Sequence, residues 1–184
     1  MMRKILCFLI VNLISWYGLA QINPNNVEIV RDAYGVPHIF AKTDAEVAYG
    51  LAWSHAEDDF KTIQIGYLAG NNLLSTYLGN TGLGADFIAQ FISSEALFEE
   101  RYETEISPEY KEILKAYAQG LNRYAETHPR EVLVKELFPV NEKKMIRYAQ
   151  LQLFISSKGD QWVSRIIKNQ LDYKFSQEEQ HRGS

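Results

Sequence analysis

Apolar positions run without a break from Ile5 to Val11, and the character persists to Ala20 with Asn12 and Ser15 as polar interruptions. Arg3 and Lys4 precede the run, and the small residues Gly18 and Ala20 close it. That order is the pattern of a secretory leader cleaved before Gln21. The run falls short of the ~20 residues a membrane-spanning helix needs, which favours a leader over an anchor. Residues 1–20 are therefore read as the leader, and the structured part begins after the polar cluster Asn23-Pro24-Asn25-Asn26.

Val27 to Arg31 alternates like a strand, and Val36 to Ala41 reads as a second one. Asp32-Ala33-Tyr34-Gly35 supplies the turn between them, so the pair predicts a small hairpin. Thr43 with Glu46 three residues on forms a capping box and predicts a helix start. From Val47 to Ile63 the apolar and aromatic residues are so dense that the helix is expected to be buried on most sides. Gly66, Gly70, Gly79, Gly82 and Gly84 predict a broken, turning segment with an exposed loop near Gly79–Gly82.

Ser107 as N-cap, Pro108 at the first helical position and Glu109 at the dipole's positive end predict the clearest helix. Tyr110, Ile113, Leu114, Tyr117, Ala118, Leu121 and Tyr124 fall on one face of it, and His128-Pro129 ends it. Further helices are expected from about Asn141 to Phe154 and from about Asp160 to Tyr173. The polar stretch Ser176–Ser184 is expected to be exposed. The whole predicts an α+β chain, mostly helical, with one short N-terminal strand pair.

Composition narrows the function classes. Hydrophobic residues make up 46% and charged residues 23%, ordinary globular proportions. The net charge is −4, and losing Arg3 and Lys4 with the leader makes it two units more negative, which argues against nucleic-acid binding. Cys7, the single cysteine, lies inside the leader. The exported chain therefore builds no disulfide scaffold, and thiol catalysis and thiolate metal sites are excluded. Its chemistry must rest on oxygen or nitrogen nucleophiles, carboxylates or a metal bound through them.

Two constellations could carry such chemistry. On a helix His55, Asp58 and Asp59 stand at i, i+3 and i+4 and share a face that could ligate a metal. The plainer alternative pairs the carboxylates with backbone or with an arginine such as Arg31. In Tyr34-Gly35-Val36-Pro37-His38-Ile39, His38 is either catalytic or, more simply, a side chain that ties the hairpin to the following helix. No phosphate loop, no Gly-x-Ser-x-Gly elbow and no zinc-binding helix signature is present.

Arg31-Asp32-Ala33-Tyr34-Gly35-Val36-Pro37-His38-Ile39, followed by Tyr49-Gly50-Leu51-Ala52 and Ala56-Glu57-Asp58, resembles the N-terminal signature of the penicillin acylase family. These are N-terminal-nucleophile amidohydrolases that include acyl-homoserine-lactone and aculeacin acylases. Tyr117-Ala118-Gln119-Gly120-Leu121-Asn122-Arg123-Tyr124 resembles a second family helix, and the likeness runs in order from about Val27 to Asn169.

The resemblance implies an exported precursor that cuts itself into a short α chain and a long β chain beginning with the nucleophilic serine, usually within Gly-Ser-Asn. It thus implies residues 21–183 as the α-chain portion of an αββα fold, Gly183-Ser184 as the processing site and Ser184 as catalytic nucleophile. The β chain of the same precursor would be the partner and an N-acylated small molecule the substrate, in the periplasm or outside the cell. No cofactor is expected from the residues themselves. The family's calcium takes one acid from a late α-chain helix, and Arg165 aligns there. Residues around Lys158 to Trp162 align with the acyl-pocket lining. Two other classes stay open at this point: a non-catalytic helical binding module on the same scaffold, and a metal hydrolase built on His55, Asp58 and Asp59.

Overall fold

A computed structural model describes residues 21–93 and 95–168 of the 184. After a short 3-10 turn at Pro24–Asn26, β1 (Glu28–Arg31) and β2 (Pro37–Phe40) form a two-stranded antiparallel sheet, with Ile29 opposite Ile39 and Val30 opposite His38. Among the described residues seven helices follow: α1 (Asp44–Gly70), α2 (Leu74–Leu78), α3 (Leu83–Ile92), α4 (Glu95–Glu105), α5 (Pro108–Thr127), α6 (Glu142–Ser156) and α7 (Gly159–Ile167). Short 3-10 turns at Gly79–Gly82 and Lys135–Leu137 join them. The mostly helical architecture and the strand pair are those the sequence predicts.

Local signals place the two long helices. Thr43 Oγ1 accepts the Glu46 N–H at 3.2 Å, and the Glu46 carboxylate accepts the Thr43 N–H at 3.1 Å, the reciprocal capping box. Ser107 Oγ accepts the Tyr110 N–H at 3.2 Å with Pro108 at the first position. Asn141 caps α6 in the same manner through the Lys144 N–H.

The core lies where α1 crosses α5, and α6 packs against both. Ala52, Ala56, Phe60 and Leu68 of α1 meet Ala118, Leu121, Tyr124 and Ala125 of α5, with Leu137 and Val140 of the loop before α6 filling the end. Small residues let the helices approach: a Cβ on Gly120 would run into the Tyr49 carbonyl oxygen and the Ala52 methyl. One on Gly50 would meet Val27 and Ile39, because the hairpin lies across that point of α1.

Two expectations change. α1 is less enclosed than its composition suggests, since Val47 and Leu51 form an exposed strip. Gly66 and Gly70 do not break the chain; they sit inside α1, where Tyr148 of α6 lies so close that a Cβ at Gly70 would collide with its backbone. The turning segment begins only at Asn71. α3, with Leu83, Phe87 and Phe91 at helical spacing, and α4 are helices that the expectations above do not include.

Candidate functional site

The hairpin turn is built around one carboxylate. Asp32 Oδ1 accepts the N–H groups of Tyr34 (2.9 Å) and Val36 (3.0 Å), while its backbone N–H donates to the Val36 carbonyl. Gly35 occupies φ +82°, a region costly for any side chain with a Cβ. These donors, Val36 first and then Tyr34, hold the Asp32 carboxyl below its ordinary value, and His38 adds to the effect. His38 Nε2 lies 3.4 Å from Asp32 Oδ2, so this histidine braces the turn within the hairpin. The expected tie from His38 to the following helix is not the one formed.

Arg31 makes that tie. Its Nη1 donates to the Gly35 carbonyl at 2.8 Å, and its Nη2 reaches Asp58 Oδ1 at 2.9 Å and Glu57 Oε2 at 3.1 Å on α1. The two carboxylates, Glu57 foremost, hold the guanidinium protonated more firmly than usual. Glu57 carries the connection inward by accepting the Trp53 indole N–H at 2.8 Å. Trp53 meets Tyr124 edge-on at 5.2 Å, and Tyr124 stacks on His128 at 4.0 Å and packs against Phe60. A chain of contacts therefore runs from the hairpin tip to the centre of the molecule.

The supposed metal face does not assemble. The backbone at Asp59 leaves the helical region (φ −158°, ψ 71°), and its carboxylate accepts the Thr62 N–H at 3.0 Å to restart α1. Asp58 goes to Arg31, and His55 Nδ1 pairs with the Tyr117 hydroxyl at 2.9 Å. Helical spacing put the three on one face only while α1 was assumed straight. Among the described residues, no group of three or more His, Cys, Asp or Glu is placed to hold a metal ion.

A hydroxyl beside an imidazole occurs at Thr127 and His128, 3.0 Å apart. Thr127 Oγ1 also bonds to the Arg123 and Tyr124 carbonyls, and His128 Nδ1 lies 3.0 Å from the Tyr124 carbonyl. A nitrogen that donates its proton to that carbonyl has no lone pair left for the hydroxyl, so the pair ends α5 and activates nothing.

The second motif, on α5, has a separate task for nearly every side chain. Tyr117 takes His55, Gln119 Oε1 accepts the Ile22 N–H at 2.9 Å, Gly120 admits α1, Asn122 binds Val140, and Tyr124 joins the aromatic cluster. Sequence reasoning missed Gln64, which is fully buried. Its amide donates to the Glu131 carbonyl (3.0 Å) and accepts the Leu133 N–H (2.8 Å). Nothing in the local pattern marks it.

The sequence profile of the penicillin amidase family matches residues 26–175, which includes both motifs. The chain belongs to the penicillin amidase family. Penicillin G acylase of Escherichia coli is 23% identical over 158 residues, 79% of this chain and 18% of that protein. Penicillin acylase 2 proenzyme of Pseudomonas sp. is 26% identical over 98 residues, 53% of this chain and 12% of that protein. The chain thus spans less than a fifth of these relatives. The solved thermostable penicillin G acylase from Alcaligenes faecalis shares the fold, with a TM-score of 0.58 at 22% identity. The match covers 75% of this chain and 74% of that one, so the two chains are of similar length.

The remaining positions implied by the penicillin amidase resemblance are placed unequally. Gly183 and Ser184 lie outside the described residues, as do the last part of the helix expected to reach Tyr173 and the stretch Ser176–Ser184. Lys158, at φ +62°, turns α6 into α7. Trp162 is exposed beyond this turn, as are Leu153 and Ile155 before it. The Arg165 guanidinium sits 5.4 Å over the Trp162 ring. A guanidinium offers no lone pair to a cation, so Arg165 itself could not ligate calcium.

Proposed function

We propose that residues 21–183 are the α chain of an exported acylase made as one precursor with a longer β chain, and that Ser184 is the first residue of that β chain. The match to the penicillin amidase profile over residues 26–175 carries the reading. Three further observations support it: the small share of its relatives that the chain spans, a proenzyme among those relatives, and a solved acylase chain of similar length. The surface is consistent with a missing partner. Val30, Val36 and Phe40 are exposed on the hairpin's outer side, beside the polar Glu28 and His38, while its inner side, Ile29 and Ile39, faces α1. Three large apolar side chains exposed on the side away from α1 suit a strand pair covered by a further layer, here in the αββα arrangement.

In this reading, scission of the Gly183–Ser184 bond frees the Ser184 α-amine, whose ordinary pKa near 8 lets it serve as base at neutral pH. The Ser184 hydroxyl attacks the substrate's amide carbonyl, its proton passing to the amine directly or through a water. As the C–N bond breaks, the substrate's amine takes up that proton and leaves, and water hydrolyses the acyl-enzyme. The α chain supports the acyl pocket, with the segment Lys158 to Trp162 at its edge. The substrate class is a linear N-acyl amide such as an acylated β-lactam or an acyl-homoserine lactone.

Expression of the complete reading frame, wild type and Ser184→Ala, followed by intact-mass measurement and an assay on phenylacetyl and long-chain acyl amides, tests this. Two chains and hydrolysis are expected for the wild type, and one inactive chain for the variant. Processing and hydrolysis by Ser184→Ala would overturn the assignment.

A further inference from the structure

The hold on the N-terminal segment begins one residue after the expected leader cleavage. The Ile22 N–H donates to Gln119 Oε1 at 2.9 Å. Asn23 Oδ1 caps the 3-10 turn through the Asn25 N–H, and Asn26 Nδ2 donates to Glu46 Oε1 at 2.8 Å on α1. Gln21 is exposed at the rim of a cleft of about 640 Å³, whose walls include Tyr49, Gln119, Arg123, Glu126 and Pro139.

We propose that Gln21 of the exported chain is converted to pyroglutamate, a modification site at the mouth of this cleft. The inference rests on removal of the leader between Ala20 and Gln21. The freed α-amine nitrogen attacks Cδ of the same residue's side-chain amide, and the new N–Cδ bond closes a five-membered lactam. The Cδ–Nε2 bond breaks, a proton moves from the attacking to the departing nitrogen, and ammonia leaves. Nothing is oxidised or reduced, and no co-reactant is consumed.

The fold suits this reaction in two ways. Ring closure uses only the amine and side chain of Gln21, both beyond the last anchor. The Ile22–Gln119 hydrogen bond and the capped turn are therefore untouched, and an exposed residue has room to fold back on itself. The product also matches the cleft's charge balance. Arg123 and Glu126 already pair there at 3.5 Å, so an α-ammonium would be a surplus charge, whereas the lactam is neutral. A lactam also closes the end of the chain to aminopeptidases, which would otherwise reach Ile22 and remove the donor that binds Gln119.

The test is N-terminal analysis of the freshly purified, exported protein made from the full precursor, alongside Gln21→Asn. For the wild type, Edman degradation is expected to be blocked, and to read Ile-Asn-Pro once pyroglutamate aminopeptidase has been applied. The N-terminal peptide is expected to be lighter by one ammonia than its glutamine form. Gln21→Asn, whose side chain is too short to close a five-membered ring, is expected to read openly from Asn. An unblocked wild-type end that reads Gln21 overturns the modification while sustaining the leader. An end at any other residue overturns the leader reading and the modification with it.

Discussion

Asn122 and Val140 exchange two hydrogen bonds across 18 residues of sequence: the Val140 N–H donates to Asn122 Oδ1 at 2.7 Å, and Asn122 Nδ2 donates to the Val140 carbonyl at 2.8 Å. A side-chain amide here does what a neighbouring strand would do for the backbone. It fixes the end of the long connection between α5 and α6, at a point where Val140 is almost fully enclosed.

Removing that amide leaves a backbone donor and an acceptor in the interior without partners. Asn122→Ala is expected to lower stability by about 2–3 kcal/mol, within the range for stranded buried polar groups. Urea denaturation of the complete expressed protein measures it; a loss under half a kcal/mol would show that water replaces the amide.

Gln64 holds the start of the same connection at Glu131 and Leu133. Gln64→Met keeps the volume and removes the amide, and a similar cost of about 2–3 kcal/mol is expected. The two sites grip one loop, so the double variant is expected to lose less than the sum of the singles.

Glycine at the two helix contacts is not equally replaceable. At Gly120 an added methyl meets a backbone carbonyl and a rigid helix, and Gly120→Ala is expected to cost about 2–3 kcal/mol. At Gly50 it meets the tips of Val27 and Ile39, which can shift, so Gly50→Ala is expected to cost about 1 kcal/mol. Thermal midpoints of the two variants, compared side by side, decide the order.

Acid acts on the hairpin through Asp32. Its carboxyl is held below the ordinary value, so its stabilising effect is complete above the unfolded value of about 3.9 and fades as pH falls through the lower folded value. Asp32→Asn keeps the acceptor oxygen but cannot titrate. The wild type is expected to be the more stable of the two at neutral pH, and the gap is expected to close on acidification. Melting curves from pH 7 down to 3 show this, and a gap independent of pH would refute it.

Legibility followed the range of the interaction. The capping box at Thr43, the start of α5 at Ser107-Pro108 and the hairpin around Gly35 were readable because every partner lies within a few residues. The role of Arg31 was half readable: a carboxylate pair on α1 called for a cation, but only the folded hairpin shows the reach. Gly66 and Gly70 misled because glycine usually breaks a helix, and the reason they do not is Tyr148, far along the chain. For His55, Asp58 and Asp59 the plainer alternative is the one that forms: Asp58 pairs with Arg31 and Asp59 with the backbone N–H of Thr62, where it bends the helix that a shared metal face would need straight. Gln64 was invisible, since a lone glutamine in a helical pattern ordinarily faces water and its partners come from a distant loop.

In the two-chain reading, the exposed Val30, Val36 and Phe40 on the hairpin's outer side also bear on when the β chain must arrive. A chain released alone would bring Val30, Val36 and Phe40 into contact with other copies at whatever concentration the compartment holds. A partner joined through the same backbone is present at an effective concentration of order millimolar from the moment both parts exist. In the two-chain reading, synthesis as a single precursor is then an assembly device: the bond at Gly183–Ser184 is worth keeping until the faces have met, and is dispensable afterwards.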